Sequence, residues 1–182
     1  MKRNTILSIL IGILLIATAC KASLAGGDSG SIALVPFSSQ ELGARGVVPV
    51  ACNQGAPGQF DCSGLRSGQS PVFLVLLSHP ATLDELMSLL LADLNLAAAP
   101  NSTGTLRGAA LTWELYHFEA PLPDLGPEIL RLDLALAEHD SAEQGSVVYA
   151  VALLTLPDDY DPHRALYETV LRYVSHALAP LE

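Results

Sequence analysis

The chain has 182 residues, with 9 basic against 19 acidic side chains, a formal net charge of −10, and a hydrophobic content of 50%. So acidic a surface repels phosphate backbones and offers no basic stripe, which excludes nucleic acid as a partner. The apolar content excludes a disordered chain, and the length suits a single domain.

Lys2 and Arg3 begin the chain, and residues 6–19 form an apolar run broken only by Ser8, Gly12 and Thr18 before Cys20. That run is shorter than the ~18–20 apolar residues of a membrane-spanning helix and has the anatomy of a secretory signal. Ala17, Thr18 and Ala19, directly before Cys20, resemble the lipobox of bacterial lipoproteins, with Ala17 where that family usually carries leucine. The resemblance implies a signal peptide over residues 1–19, cut before Cys20. The Cys20 thiol then carries diacylglycerol, with fatty acids such as palmitate. An ordinary signal peptide or an uncleaved anchor is the competing reading. Cleavage leaves 163 residues, 7 basic and 19 acidic, a net charge of −12. An anionic bilayer repels that surface too, so lipid must do the anchoring. Each buried methylene contributes about 0.8 kcal/mol and one acyl chain holds only marginally, so two or more are needed. The expected place is the extracytoplasmic face of the cell membrane, at the cell surface.

Residues 20–31, the lipidated cysteine and a small, glycine-rich stretch, read as a flexible tether. Gly27, Asp28, Ser29 and Gly30 match the string around the nucleophile of trypsin-like proteases. No histidine or buried aspartate precedes Ser29 to activate it, so the match is a coincidence.

One domain spans residues 32–182. Residues 32–37 read as a first strand, a loop carries Glu41 and Arg45, and residues 47–51 form a second apolar run. Once Cys20 carries lipid, Cys52 and Cys62 remain as a pair in an exported protein, which favours a disulfide. The turn residues Gly55, Pro57 and Gly58 lie between them, so the bond staples a hairpin. Free thiols, or half of a metal site, are the alternatives. Residues 63–70 read as loop, and residues 72–77 as a strand buried on both faces.

Thr82 and Glu85 form a capping box before a helix whose apolar stripe is Leu83, Leu86, Met87, Leu90 and Leu94, widened by Leu89 and Leu91. Pro100 and a turn over residues 101–104 end it. Asn101, Ser102 and Thr103 fit the glycosylation sequon, but read here as part of that turn. In residues 111–119, Leu111, Trp113, Leu115 and His117 point one way and Thr112, Glu114, Tyr116 and Phe118 the other. Residues 130–138 alternate as well, with Leu130, Leu132, Leu134 and Leu136 inward and Arg131, Asp133 and Glu138 outside. A polar loop over residues 139–145 leads to a long buried strand over residues 146–156. Asp161 is expected to cap a last helix with Pro162 in its first turn, and its core stripe is Leu166, Val170, Val174, Ala177 and Leu178. Consecutive strands on short loops imply an α+β domain, a central antiparallel sheet covered by helices.

The segments FSSQELGARGVVP, LTWELYHFE, LRLDLALAE, VVYAVALLTLP and DPHRALYETVLRYV resemble small bacterial domains of the PsbP/Mog1-like class. The resemblance covers most of residues 32–180. It implies an α/β/α sandwich with a binding or assembly role, no catalytic residues and no cofactor.

Chemistry-bearing residues are sparse. No G-x-S-x-G elbow occurs, since Ser67 lies one place late in residues 64–68. His79, His117, His139, His163 and His176 have no metal-ligand spacing. His117, on the apolar face with Trp113, is the first candidate for a ligand site. Asp158, Asp159 and Asp161 are weak candidates for calcium, lacking the glycine and distal glutamate of an EF-hand loop, and read better as a solvated turn and a helix cap. The sequence thus suggests a lipid-anchored, non-catalytic lipoprotein that binds a protein or small ligand. Its rival is an unrecognised hydrolase or metal-dependent enzyme built from His117, His139 and the Asp158–Asp161 cluster.

Overall fold

A computed structural model of the chain describes residues 33–62, 73–93, 96–121, 129–141 and 145–176. The signal segment, Cys20, the tether, residues 63–72, Leu94, Ala177 and Leu178 lie outside them.

Seven antiparallel strands form the central sheet: β3 (Asn53–Ala56), β4 (Gln59–Asp61), β5 (Phe73–His79), β6 (Gly104–Arg107), β7 (Thr112–Pro121), β8 (Ile129–Ser141) and β9 (Gly145–Thr155). Their spatial order is β3-β4-β5-β9-β8-β7-β6. The longest strands therefore lie at the centre, where both faces are covered. On one face lies α1 (Leu83–Asp93), whose Leu86, Met87 and Leu90 pack on Leu132, Leu134 and Leu136 of β8 and on Val148 and Ala150 of β9. The capping box holds: the Thr82 amide donates to Glu85 Oε2 at 2.9 Å and the Glu85 amide to Thr82 Oγ1 at 3.4 Å. The backbone bond to Thr82, then its hydroxyl, holds the Glu85 carboxyl below the usual range. Leu89 does not belong to the stripe, being 44% exposed.

On the other face lies α2 (Tyr160–Tyr173), with a small second sheet beside it. Leu166, Tyr167, Val170, Leu171 and Val174 bury against Ala135, Trp113, Val151 and Leu106. The helix starts at Tyr160, after a 3-10 turn over Pro157–Asp159, so Asp161 sits in its first turn and is not its cap. A carboxylate there still favours the positive end of the helix dipole.

The second sheet, absent from the sequence reading, joins β1 (Leu34–Ser39), β2 (Ala44–Pro49) and β10 (Ser175–His176) in the order β1-β2-β10. The first two strands fall two to three residues away from the apolar runs, because Arg45 and Gly46 belong to β2 and not to a loop. Likewise the loop expected over residues 139–145 is mostly strand, since β8 runs on to Ser141. Cys52 and Cys62 are joined across the open end of the β3–β4 hairpin, one step beyond the Asn53↔Asp61 pair, with Cα atoms 4.2 Å apart. The hairpin turn needs Gly58: its φ is +75°, and a Cβ there would lie 2.1 Å from the Leu76 carbonyl oxygen. Only a glycine tolerates both.

Candidate functional site

Between α2 and the β7–β8 wall runs a groove of about 280 Å³. His117, Arg131, Asp133, Arg164, Tyr167 and Glu168 supply most of its polar lining. The sheet register builds one wall: His117 lies directly across from Asp133, and Glu119 across from Arg131. Asp133 is 5% exposed, which corrects the expectation that it faces solvent. Alternation along β8 separates two faces correctly, but the face opposite the leucines is covered by α2, so it is not a water face. Arg131 is half-buried there as well.

Burial obliges Asp133 to be paired. Arg131 grips it with two donors, Nε to Oδ2 at 2.6 Å and a terminal guanidinium nitrogen to Oδ1 at 2.9 Å, the bidentate geometry that suits a carboxylate. His117 stands between two carboxylates, its Nδ1 3.5 Å from Asp133 Oδ1 and its Nε2 3.5 Å from Glu119 Oε1. The Tyr167 hydroxyl lies 3.1 Å from the Asp133 carbonyl oxygen and 2.8 Å from that of Val151, which fixes α2 on the sheet. Along α2, Arg164 Nε donates to Glu168 Oε1 at 2.9 Å, and Arg172 lies 3.9 Å from Glu168 Oε2. Next to this wall on the opposite sheet face, Tyr116 donates to Glu114 at 2.6 Å; burial, then that carboxylate, push its phenol up to about 12.

Trp113 shares a strand face with His117 but not the groove. It is fully buried and its Nε1 donates to the Leu171 carbonyl at 2.8 Å, satisfying the C-terminal end of α2. It is a packing residue. His139 lies six residues beyond Asp133 on β8, about 20 Å away at strand rise. There it stacks on His176 of β10, ring centroids 3.9 Å apart. Asp158 and Asp161 are exposed at the start of α2, and the Asp159 side chain lies outside the described residues. Among the described residues no three His, Cys, Asp or Glu side chains converge to hold a metal.

Of the groove, sequence reasoning singled out His117 alone. Arg131 and Asp133 carried a signal, two opposite charges at the same parity of an apolar strand. Arg164, Tyr167 and Glu168 lie on a helix whose position over β7 no local pattern reveals.

No protein-family model matches the sequence, and no curated protein matches it. Solved structures do match the fold. The cyanobacterial PsbP protein CyanoP of Synechocystis sp. PCC 6803 is 13% identical with a TM-score of 0.50, covering 84% of this chain and 97% of its own. LpqN of Mycobacterium tuberculosis, involved in cell envelope biogenesis, is 8% identical with a TM-score of 0.53, covering 80% of this chain and 91% of its own. The Ran-binding protein Mog1p of Saccharomyces cerevisiae is 13% identical with a TM-score of 0.43, covering 81% of this chain and 97% of its own. With its antiparallel sheet, two described helices and the CyanoP and LpqN neighbours, the chain has a PsbP-like α+β fold.

Proposed function

We propose that this chain is an extracytoplasmic lipoprotein, anchored through lipid on Cys20, whose domain binds a protein or small ligand in the groove beside His117 without catalysing a reaction. The observation that carries the reading is the groove itself: a cavity of about 280 Å³ whose walls hold a bidentate Arg131–Asp133 pair and a histidine between two carboxylates. Such a site has fixed donors and acceptors for recognition. Both ring nitrogens of His117 face carboxylates, which suits recognition and not the activation of a nucleophile. The lipobox-like segment supports the address, and the part of LpqN in cell envelope biogenesis points the same way.

Two measurements test the two halves. Metabolic labelling with a fatty-acid analogue should mark the wild-type chain and not Cys20→Ser, since a hydroxyl cannot form the thioether; label on the variant refutes the anchor. A photo-crosslinking amino acid at Arg164, on the groove rim, should capture a partner in intact cells, whereas the same group at Leu89 on the opposite layer should not. Equal capture from both positions, or none from Arg164, refutes the groove as the binding site.

A further inference from the structure

The seven-stranded sheet ends in β6, which is too short to cover its neighbour. It has four residues against ten in β7, and its pairing stops at Gly104↔Leu115. The Thr103 amide donates to the Leu115 carbonyl at 2.7 Å, and the Ser102 and Thr103 hydroxyls lie 3.3 and 3.1 Å from the same oxygen. Among the described residues no strand continues beyond them, so residues 116–121 pair with β8 alone. In an antiparallel strand, alternate residues send both backbone groups to opposite sides. Leu115 turns its carbonyl to β6, so the N–H and C=O groups of His117 and Glu119 point to the same side, where no described strand pairs with them. Those of Tyr116 and Phe118 face β8. The groove opens beside this edge, since both Thr103 and His117 line it.

We propose that this edge takes an extended basic peptide segment of a partner protein as an added strand, which names the partner class for the groove and rests on the binding reading above. The edge supplies main-chain affinity, and the two flanking faces supply selectivity. On the α2 side an incoming side chain meets His117 and Glu119, since the Arg131–Asp133 and Arg164–Glu168 pairs behind them offset each other's charge; on the α1 side it meets Tyr116 and Phe118. That difference selects a segment alternating basic and apolar residues. Charge selects its sign: the Glu119 carboxylate stands 55% exposed at the edge of a chain with net charge −10. A second copy of this chain would bring an equally acidic surface and be repelled, whereas a basic segment is steered in.

The test uses the full chain in mild detergent and two fluorescein-labelled hexapeptides, Lys-Val repeated three times and Glu-Val repeated three times, followed by fluorescence anisotropy. The basic peptide should bind and the acidic one should not. Glu119→Pro removes an outward N–H and leaves the β7–β8 ladder whole, because that amide does not face β8. It should weaken the basic peptide about tenfold or more, with a wild-type melting curve. Should the proline variant not fold, amide exchange in the wild type decides: the basic peptide should protect the His117 and Glu119 amides and leave Phe118 unchanged. Binding of both peptides alike, no binding of either, unaltered affinity in Glu119→Pro, or no new protection at His117 and Glu119 overturns the proposal. So does a dimer of this chain that Glu119→Pro dissolves. Partner capture from Arg164 that survives Glu119→Pro overturns the added strand alone and leaves the groove reading standing.

Discussion

Val170→Asp puts a carboxyl where α2 meets the sheet. Val170 is 2% exposed within the cluster that holds Trp113, Ala135, Val151 and Leu171. Losing the buried isopropyl group costs about 2 kcal/mol. Burying an aspartate with no partner raises its pKa by about 3–5 units, so near pH 7 folding must neutralise it, which from an unfolded value of about 3.9 costs about 4 kcal/mol. Together these rival the whole stability of a domain, about 5–15 kcal/mol. Urea unfolding of residues 32–182, followed by far-UV circular dichroism, reads the effect. Val170→Ala should lower the midpoint by the smaller packing cost alone. Val170→Asp should abolish the cooperative transition at pH 7. The sign of its pH dependence follows from the raised folded pKa: the ionic cost is present above that pKa and vanishes below the unfolded value of about 3.9. Acidification should therefore bring Val170→Asp towards Val170→Ala, measured at one pH relative to wild type. A wild-type curve for Val170→Asp at pH 7 would falsify the packing of α2 on the sheet.

Cys52 and Cys62 should resist alkylation without reductant, and Cys52→Ala with Cys62→Ala should cost about 3 kcal/mol for so short a loop; free thiols on exported protein would refute the bond. Trp113→Phe leaves the buried Leu171 carbonyl without its donor, so the thermal midpoint should fall by about 4–10 °C, for a loss of about 2–3 kcal/mol. An unchanged midpoint would show that the indole N–H does not hold α2. Burial first, then His139 and Arg45, hold the His176 imidazole below its usual pKa. The neutral ring is thus favoured in the fold, its stabilisation is complete above about pH 6.5, and it is lost as pH falls through the lower folded value. His176→Phe should remove that part of the pH dependence, and an unchanged profile would put its origin elsewhere.

Local chemistry alone determined much of this chain. Alternation in residues 111–119 and 130–138 sufficed for strands, and the Thr82–Glu85 box for the start of α1, because these signals lie within one turn or one strand of the residues they govern. Cysteine count pointed to the Cys52–Cys62 bond, on the expectation that Cys20 carries lipid, and the two are joined. Period two separates the faces of a strand but does not say what covers them. Only the layer order decided that Asp133 is buried under α2 while Glu138 is exposed. Only the β7–β8 register brought His117 to Asp133, and only the shortness of β6 left Glu119 beyond its last pair. The small sheet was beyond any local signal, since β10 is two residues long and pairs with a strand some 130 positions earlier. Its partner strand β2 carries Arg45, which pairs with Ser175, and Gly46, around which Phe37 and Val174 close, residues that favour no strand by themselves. Contacts so distant in sequence exist only once the chain is folded, which is why the site they build could not be read from the residues one at a time.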